Sequence, residues 1–448
     1  GRPMNITQRI SAAPMSGYQW LIIALCTVMN CLDGFDVMAV AFTGPSLVEE
    51  FDLTGSQFGL LVSVGLIGMA MGSMLLAPFA DLIGRRPLLL ISHVLSTVGM
   101  FGAAVSPSAT VMGFFRLLTG IGVGGMLAST NVIASEFSNT KNRGLAIGIY
   151  TAGYGIGATI ASLAARVAVG GDWRIVFYVG GFGTLLSLVV IALLLPESVA
   201  FLEQRRPRGA LERINRTLTR MGLDPVSQTD LDQAASAREK DGKAGAGWLK
   251  QLLTPTILLW ITFITIMFGF YFVNSWTPTL LVEEGLSESA AVTAGMAISL
   301  GGTVGSVLYG FVARMRTPRV ALIGFSLLSA TMMVVFIAST SILWLGFGIG
   351  VLVGALINGC IAGVYTVGPP LYPSKVRSVG MGWALGMGRI GAILSPTIAG
   401  MLRDAGATAT QLYIGAAGVV AICAVVLVGL RRYDPESVPS EVKEPATA

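Results

Sequence analysis

Long apolar runs follow one another along nearly the whole chain, and they restrict its fold more than any other feature of the sequence. A run of about 20 apolar residues is long enough to cross the hydrocarbon core of a bilayer as one helix. Twelve such runs are present, at 18–42, 56–79, 88–104, 111–137, 144–168, 175–195, 257–281, 290–313, 320–338, 342–367, 379–402 and 413–430. The runs are continuous rather than alternating, which excludes the strands of a membrane barrel. We therefore predict an all-α membrane protein with twelve transmembrane helices, helices 1 to 12.

The composition excludes the soluble classes of protein. Only 12 % of the 448 residues are charged and 53 % are hydrophobic, whereas soluble proteins carry about 25 % charged residues. Too little polar surface remains for a soluble enzyme, a secreted domain or a nucleic-acid-binding protein. The four cysteines lack CxxC spacing and His93 is the single histidine, so we predict neither a disulfide framework nor a metal site. No other cofactor is predicted.

The apolar runs fall into two groups of six, separated by a polar stretch at 196–250 that contains ten of the lysines and arginines. The predicted divisions are an N-terminal segment at 1–17, six-helix halves at 18–195 and 251–431, a linker at 196–250 and a tail at 432–448. Gly1, Arg2 and Pro3, which precede Met4, are interpreted as a cloning remnant.

Basic residues concentrate on one side of the predicted membrane. Because the helix count is even, both termini share that side with the linker and with the basic loops at 85–86, 141–143, 314–319 and 375–377. The positive-inside rule makes this side cytoplasmic. We predict a multi-pass protein of the bacterial inner membrane with both termini in the cytoplasm, functional as a monomer.

The two halves are related by an internal repeat. A shift of 234 positions aligns Leu47-Val48-Glu49-Glu50 with Leu281-Val282-Glu283-Glu284. The same shift aligns Ile156-Gly157-Ala158 with Ile390-Gly391-Ala392. Parallel six-helix repeats are a recurring plan of transporters, in which the substrate site lies at the midplane between the repeats.

Charged residues are rare inside the predicted spans. They are Asp33, Asp36, Arg116, Glu136, Arg166 and Arg389. Each costs roughly 2.5–3.5 kcal/mol at the bilayer centre if it faces lipid, so we expect them to face a cavity or one another. Asp33 and Asp36 lie one turn apart on helix 1, and neighbouring buried carboxylates raise each other's proton affinity. We predict that at least one carries a proton with Arg116 as its counter-charge; the alternative is a structural cap or pair.

Arg389 is the predicted anchor for a substrate carboxylate. The repeat aligns it with Gly155, so one half has a guanidinium where the other has no side chain. A planar guanidinium matches a carboxylate through two parallel hydrogen bonds; a structural ion pair is the alternative. Arg116 joins this site, because protonation of its carboxylate partner would free it for an anion. Further candidates are aromatic and amide side chains, for which helix packing is the alternative role: Tyr154, Tyr271, Trp276, Trp383, Asn274 and Asn358.

Three motifs indicate which family the sequence resembles. Asp81-Leu82-Ile83-Gly84-Arg85-Arg86, between helices 2 and 3, is similar to the loop signature of the major facilitator superfamily. Residues 116–124 are similar to its helix-4 signature, and Pro196-Glu197-Ser198 after helix 6 is typical of it. The resemblance covers nearly the whole chain and implies the major facilitator fold of two six-helix halves.

Two further motifs resemble one branch of that superfamily, the aromatic acid:proton symporters. They are Asp33-Gly34-Phe35-Asp36 and Gly388-Arg389-Ile390-Gly391-Ala392. The resemblance implies uptake of benzoate, hydroxybenzoates or related acids, or of ring-cleavage diacids such as muconate, for aromatic catabolism. It also implies that Asp36 and Arg116 form the proton-coupling pair. It further implies a cytoplasmic lock, to which we assign Asp81, Arg85, Arg86, Glu136 and Arg143.

The predicted function is proton-coupled import of an aromatic carboxylate by alternating access, with the acid anion, protons and the lipid bilayer as partners. Two alternatives stay open: symport of a dicarboxylate such as muconate, and drug/proton antiport. Helix 5 favours symport, because 153–157 lacks the glycine–proline pattern typical of drug antiporters. A sugar symporter would show more intramembrane amides, and a membrane enzyme would show a catalytic triad or metal cluster.

Overall fold

A computed structural model describes residues 5–76, 79–139, 142–241, 247–372 and 377–433, and every regular element in these ranges is helical. The α-helices are α1 (Ile6–Ala12), α2 (Gly17–Glu50), α3 (Gly55–Met71), α4 (Ala80–Ile83), α5 (Arg85–Ala104), α6 (Ala109–Glu136), α7 (Arg143–Ala168), α8 (Arg174–Leu194), α9 (Val199–Arg205), α10 (Ala210–Arg220), α11 (Gln228–Asp241), α12 (Trp248–Gln251), α13 (Leu253–Glu283), α14 (Glu288–Met315), α15 (Pro318–Ser339), α16 (Leu343–Val367), α17 (Arg377–Asp404) and α18 (Ala409–Gly429).

Eleven of the described helices are long and apolar enough to cross a membrane, namely α2, α3, α5, α6, α8 and α13 to α18. Helix α7, with 26 residues, occupies the place predicted for the fifth span. Together these helices confirm the predicted all-α fold of membrane-spanning segments.

Several spanning helices run further than the apolar pattern indicates, most of all α2, whose predicted end is residue 42. Helix α2 continues to Glu50 and passes through Pro45, and α13 continues to Glu283 and passes through Pro278. Neighbouring helices and local backbone adjustments satisfy the groups that a proline frees, so membrane helices tolerate it. The sequence bounds stop early because hydropathy marks where a helix leaves the hydrocarbon, not where it ends.

The chain forms two compact units. Unit 1 comprises Gly1–Asp52 and Val64–Gly242, and unit 2 comprises Leu53–Ser63 and Lys243–Ala448. Helix α3 therefore contributes its first turns to unit 2 and its remaining turns to unit 1.

Glycines bring helix backbones into direct contact within unit 1. A Cβ at Gly34 of α2 would overlap the carbonyl oxygen of Tyr154 in α7, and one at Gly157 would overlap the carbonyl oxygen of Cys31. A Cβ at Gly72, after α3, would likewise overlap the Ile121 carbonyl of α6. Small residues allow such close approach in membranes, where packing rather than the hydrophobic effect holds helices together. The helices that carry the charged candidates are thereby fixed at short separations.

The linker folds onto unit 1. Ile214 and Leu218 of α10 are fully buried in one apolar cluster with Ile6 and Ile10 of α1. Helix α10 lies within the predicted linker at 196–250. Its apolar residues recur every four positions, which gives one face for the cluster and leaves the charged face outside.

Candidate functional site

Asp36 and Arg116 form a buried ion pair in unit 1. The Arg116 Nη1 atom lies 2.5 Å from Asp36 Oδ1, and the side chains are 3 % and 1 % exposed. Arg116 Nη2 also donates to the Asp36 carbonyl oxygen at 3.3 Å. Asp36 Oδ2 and Arg116 Nε are buried with no hydrogen-bond partner in the described part of the chain. The pair thus neutralises its net charge but retains unused hydrogen-bonding capacity.

Asp33 lies one turn before Asp36 on α2 and is buried as well. Between the two carboxylates, Gly34 contacts the backbone of Tyr154 on α7. Asn30, a turn before Asp33, donates from Nδ2 to the Tyr150 carbonyl oxygen at 2.8 Å. The α2–α7 contact therefore places Tyr154, a half-buried candidate for the substrate site, on the helix beside the two carboxylates.

Gly65 of α3 is a neighbour of the ion pair that the sequence analysis missed. A Cβ at this position would lie 3.1 Å from Arg116 Nη2. Because Gly65 has no side chain, the Arg116 guanidinium has room to lie between α3 and α2. The signal that identifies Gly65 is its spacing of three residues from Gly68 and seven from Gly72, which places the three glycines on one side of the helix. The spacing becomes meaningful only once α6 is known to pack there.

Arg389 lies in unit 2 on α17 and is half-buried. It is one turn before Ile393, so both residues occupy the same face of the helix. Next to it on the chain, a Cβ at Gly388 would lie 3.3 Å from Phe263 of α13, and one at Gly391 would overlap the Ile264 carbonyl oxygen. Close packing on α13 therefore fixes the part of α17 that carries Arg389.

The other unit 2 candidates differ in what their polar groups do. Trp276 is 1 % exposed and donates from Nε1 to the Pro396 carbonyl oxygen at 3.0 Å. Asn274 and Asn358 donate back to carbonyl oxygens of their own helices, at 2.8 and 2.9 Å. Tyr271 is buried against the ring of Phe270, with centroids 5.1 Å apart. These contacts occupy the Trp276 indole and the amide nitrogens in helix packing.

Trp383 is the most accessible aromatic candidate of unit 2, with 60 % of its surface exposed. Its ring stacks on Trp260 of α13 at 6.2 Å between centroids and 19° between planes. Trp260 was not among the sequence candidates, because its position within an apolar run gives no indication of a partner.

A buried carboxylate cluster joins helix ends of unit 1 on the predicted cytoplasmic side. Glu136, at the end of α6, accepts hydrogen bonds from Ser198 Oγ and from the Ala200 amide, both at 2.7 Å. Glu197 accepts from the backbone amides of Arg85 at 3.0 Å and Arg86 at 3.3 Å. Carboxylates at these positions satisfy the free amides of a helix N-terminus and interact favourably with its dipole.

The cluster contains three of the residues assigned to the lock. Arg86 donates from Nε to the Leu195 carbonyl oxygen at 3.0 Å and from Nη2 to the Ala192 carbonyl oxygen at 2.6 Å. Glu197 was known in the sequence analysis only as part of a motif, and its capping role was missed. The side chains of Asp81 and Arg143 lie outside the described part of the structure, so their assignment stays a prediction.

Comparison with known proteins gives the class of the molecule. The profile of the Major Facilitator Superfamily matches residues 26–369. The chain belongs to this superfamily and is therefore a membrane transporter rather than an enzyme.

Two similar proteins narrow the class further, because they are named as transporters of particular aromatic acids. The chain is 30 % identical over 408 residues to a gallate transporter of Pseudomonas putida, with 90 % of each protein covered. It is 28 % identical over 398 residues to the 4-hydroxybenzoate transporter PcaK of Acinetobacter baylyi, covering 88 % of this chain and 87 % of the relative. The resemblance to aromatic-acid permeases predicted from the motifs is confirmed. Among solved structures, the inward-open xylose transporter XylE from E. coli has the same fold, with a TM-score of 0.71 at 16 % identity over 92 % of this chain and 96 % of XylE.

Proposed function

We propose that this transporter is a proton-coupled symporter of the bacterial inner membrane that imports an aromatic carboxylate of the benzoate or hydroxybenzoate class by alternating access. The observation that carries the proposal is the buried Asp36–Arg116 ion pair. Two relatives that align over most of the chain are named as transporters of gallate and 4-hydroxybenzoate, which supports the substrate class. The protein acts as a monomer with both termini in the cytoplasm.

The ion pair couples the proton to the anion. Protonation of Asp36 removes the negative charge that neutralises Arg116, and an unpaired buried charge is strongly unfavourable. An anion that binds while Asp36 is protonated restores neutrality. The carrier therefore changes conformation readily either with both proton and anion or with neither. Asp33, one turn away on α2, is the second carboxylate of the proposed coupling site.

Arg389 binds the substrate carboxylate in this proposal. Its guanidinium matches a carboxylate with two parallel hydrogen bonds, which a lysine cannot reproduce. The aromatic ring of the substrate packs against Tyr154 and Trp383, whose rings are not fully buried. Asp81 and Arg143 complete the cytoplasmic lock with Arg85, Arg86 and Glu136.

Ligand binding to the purified protein tests the proposal. Benzoate and 4-hydroxybenzoate are expected to raise its unfolding temperature, whereas neutral sugars and cationic drugs leave it unchanged. Arg389→Lys and Arg389→Ala are expected to weaken binding about 10- to 100-fold, the range for loss of a charge-assisted hydrogen bond. Arg216→Ala, an exposed arginine of the linker, is the matched control. Normal binding by both Arg389 variants would contradict the assignment of Arg389 as the carboxylate-binding residue. Stabilisation by sugars or drugs alone would contradict the assignment of aromatic acids as the substrate class.

A dicarboxylate of the muconate type is the second candidate substrate. The presence of two intramembrane arginines, Arg116 and Arg389, favours it, because each matches one carboxylate. Muconate belongs in the same panel: a larger temperature shift with muconate than with benzoate selects the dicarboxylate.

A further inference from the structure

The outer end of α17 holds the beginning of α3 inside unit 2, where Leu53–Ser63 belongs. The Asp404 carboxylate accepts from the Gly55 amide at 2.7 Å and from the Ser56 amide at 2.8 Å, and the Ser56 hydroxyl donates to the same carboxylate. One side chain thus satisfies the first amides of α3 and places its negative charge at the positive end of the helix. These hydrogen bonds are solvent-exposed, so water can replace them when they break.

Below this cap, the two helices touch through small residues spaced four apart. A Cβ at Gly400 would overlap the Gly55 carbonyl oxygen, and one at Gly59 would overlap the Pro396 carbonyl oxygen. One turn further, Ser63 Oγ lies 2.6 Å from Thr397 Oγ1 and donates to the Ile393 carbonyl oxygen at 2.8 Å. The Gly55, Gly59 and Ser63 series therefore forms a backbone-to-backbone seam that ends one helical turn from Arg389.

Side chains of α13 close the seam from the side. The Phe58 ring meets the Trp276 ring edge-on at 5.2 Å, and the Trp276 indole binds the Pro396 carbonyl oxygen. Arg403, which precedes Asp404, pairs with Glu283 at the end of α13 at 2.5 Å. Helix α17 is thus tied to α13 by Arg403 and to α3 by Asp404.

We propose that the α3–α17 seam is a gate at the predicted outer side of the membrane and that Asp404 is its latch. The inference rests on the proposed alternating access, which requires a route from outside to Arg389 that opens and closes. The geometry suits reversible closure, because the α3 and α17 backbones meet through small residues and the Asp404 hydrogen bonds lie at the exposed rim. Opening would also withdraw the buried Phe58 ring from Trp276. Trp276 belongs to this gate rather than to the substrate contacts.

Chemical labelling from outside intact cells tests the latch. Ser63→Cys is introduced into a variant whose four native cysteines are replaced by alanine. The rate at which this cysteine reacts with a membrane-impermeant maleimide is measured. Asp404→Ala is expected to accelerate labelling about tenfold, a change of about 1.4 kcal/mol in closure. Asp404→Asn, which keeps one acceptor oxygen, is expected to fall between. Glu49→Ala, at an exposed carboxylate on the end of α2, is the matched control. Equal rates in all variants would overturn the latch.

A reversible cross-link tests the gate independently of Asp404. Ser63→Cys with Thr397→Cys places two thiols where the hydroxyl oxygens are 2.6 Å apart, within reach of a disulfide. Oxidation is expected to abolish uptake and a reductant to restore it. Undiminished uptake by the cross-linked protein would overturn the gate. The labelling assay needs no substrate, so failure of the aromatic-acid assignment, seen as no uptake by the unmodified protein, is distinguishable from failure of the latch.

Discussion

The two oxygens of the Asp36 carboxylate have different surroundings. Oδ1 binds Arg116, whereas Oδ2 is buried with no hydrogen-bond partner among the described residues. A proton on Oδ2 leaves the carboxyl group neutral without moving the guanidinium. At the residue scale, this asymmetry leaves one carboxylate oxygen for the proton that the proposed coupling assigns to Asp36.

Asp36→Asn is expected to abolish accumulation driven by a pH gradient, because an amide cannot carry the proton. Exchange of labelled for unlabelled acid across the membrane is expected to continue, since it needs no net proton movement. Uptake into vesicles with and without a pH gradient measures both. Glu49→Gln is the control, and the level of protein in the membrane is determined alongside. Full pH-driven accumulation by Asp36→Asn would assign the proton to another group.

At the scale of the elements, α2 and α7 meet through backbone atoms. No flexible side chain lies between them that could move aside for a larger residue. Gly157→Ala places its Cβ against the Cys31 carbonyl oxygen, and overpacking of this kind costs about 1–3 kcal/mol. Gly148→Ala on the same helix is the matched control, because a Cβ there meets nothing within 4 Å. Thermal unfolding in detergent is expected to show a lower midpoint for Gly157→Ala only. Equal midpoints for the two variants would contradict the close contact.

Much at this scale was predictable from the sequence. The apolar runs predict the spans, and the cost of an unpaired charge in a membrane predicts that Arg116 meets a carboxylate of helix 1. The family resemblance implies that this carboxylate is Asp36, as the structure has it. The repeated glutamates also behave alike: Glu50 pairs with Arg174 at the start of α8, and Glu284 accepts from the Ala409 amide at the start of α18. Each binds the start of the last spanning helix of its own half.

Apart from the pairing of intramembrane charges, contacts between distant parts of the chain were not predictable. Glu197 caps α5 more than 100 positions away, and a carboxylate after a transmembrane helix has the same sequence signal whether it caps, pairs or is solvated. The tryptophans show the same difficulty in predicting contacts from the sequence. Trp276 and Trp383 are equivalent candidates in the sequence, yet one is fully buried in packing and the other is largely exposed. The burial of a side chain depends on which helices are neighbours, and the hydrophobic periodicity of the sequence does not predict those neighbours.

For the whole molecule, a single coupled proton makes transport of a monoanion electrically neutral. Accumulation is then expected to follow the pH gradient, at about 1.4 kcal/mol or tenfold per unit. An imposed membrane potential is expected to have no effect, whereas a second proton would add about 2.3 kcal/mol per 100 mV. Vesicles with potassium gradients and valinomycin, at equal internal and external pH, separate the cases. Stimulation by a negative interior would assign a second proton, with Asp33 as its carrier.

The backbone contact between α2 and α7 has a mechanical consequence. Gly34 and Gly157 bring the two helix backbones into contact on both sides of Asp33, so we expect the two helices to move together. Tyr154 and Asp36 therefore lie on one closely packed pair of helices. In the proposed transport cycle, a substrate ring at Tyr154 and a proton at Asp36 would both act on this helix pair.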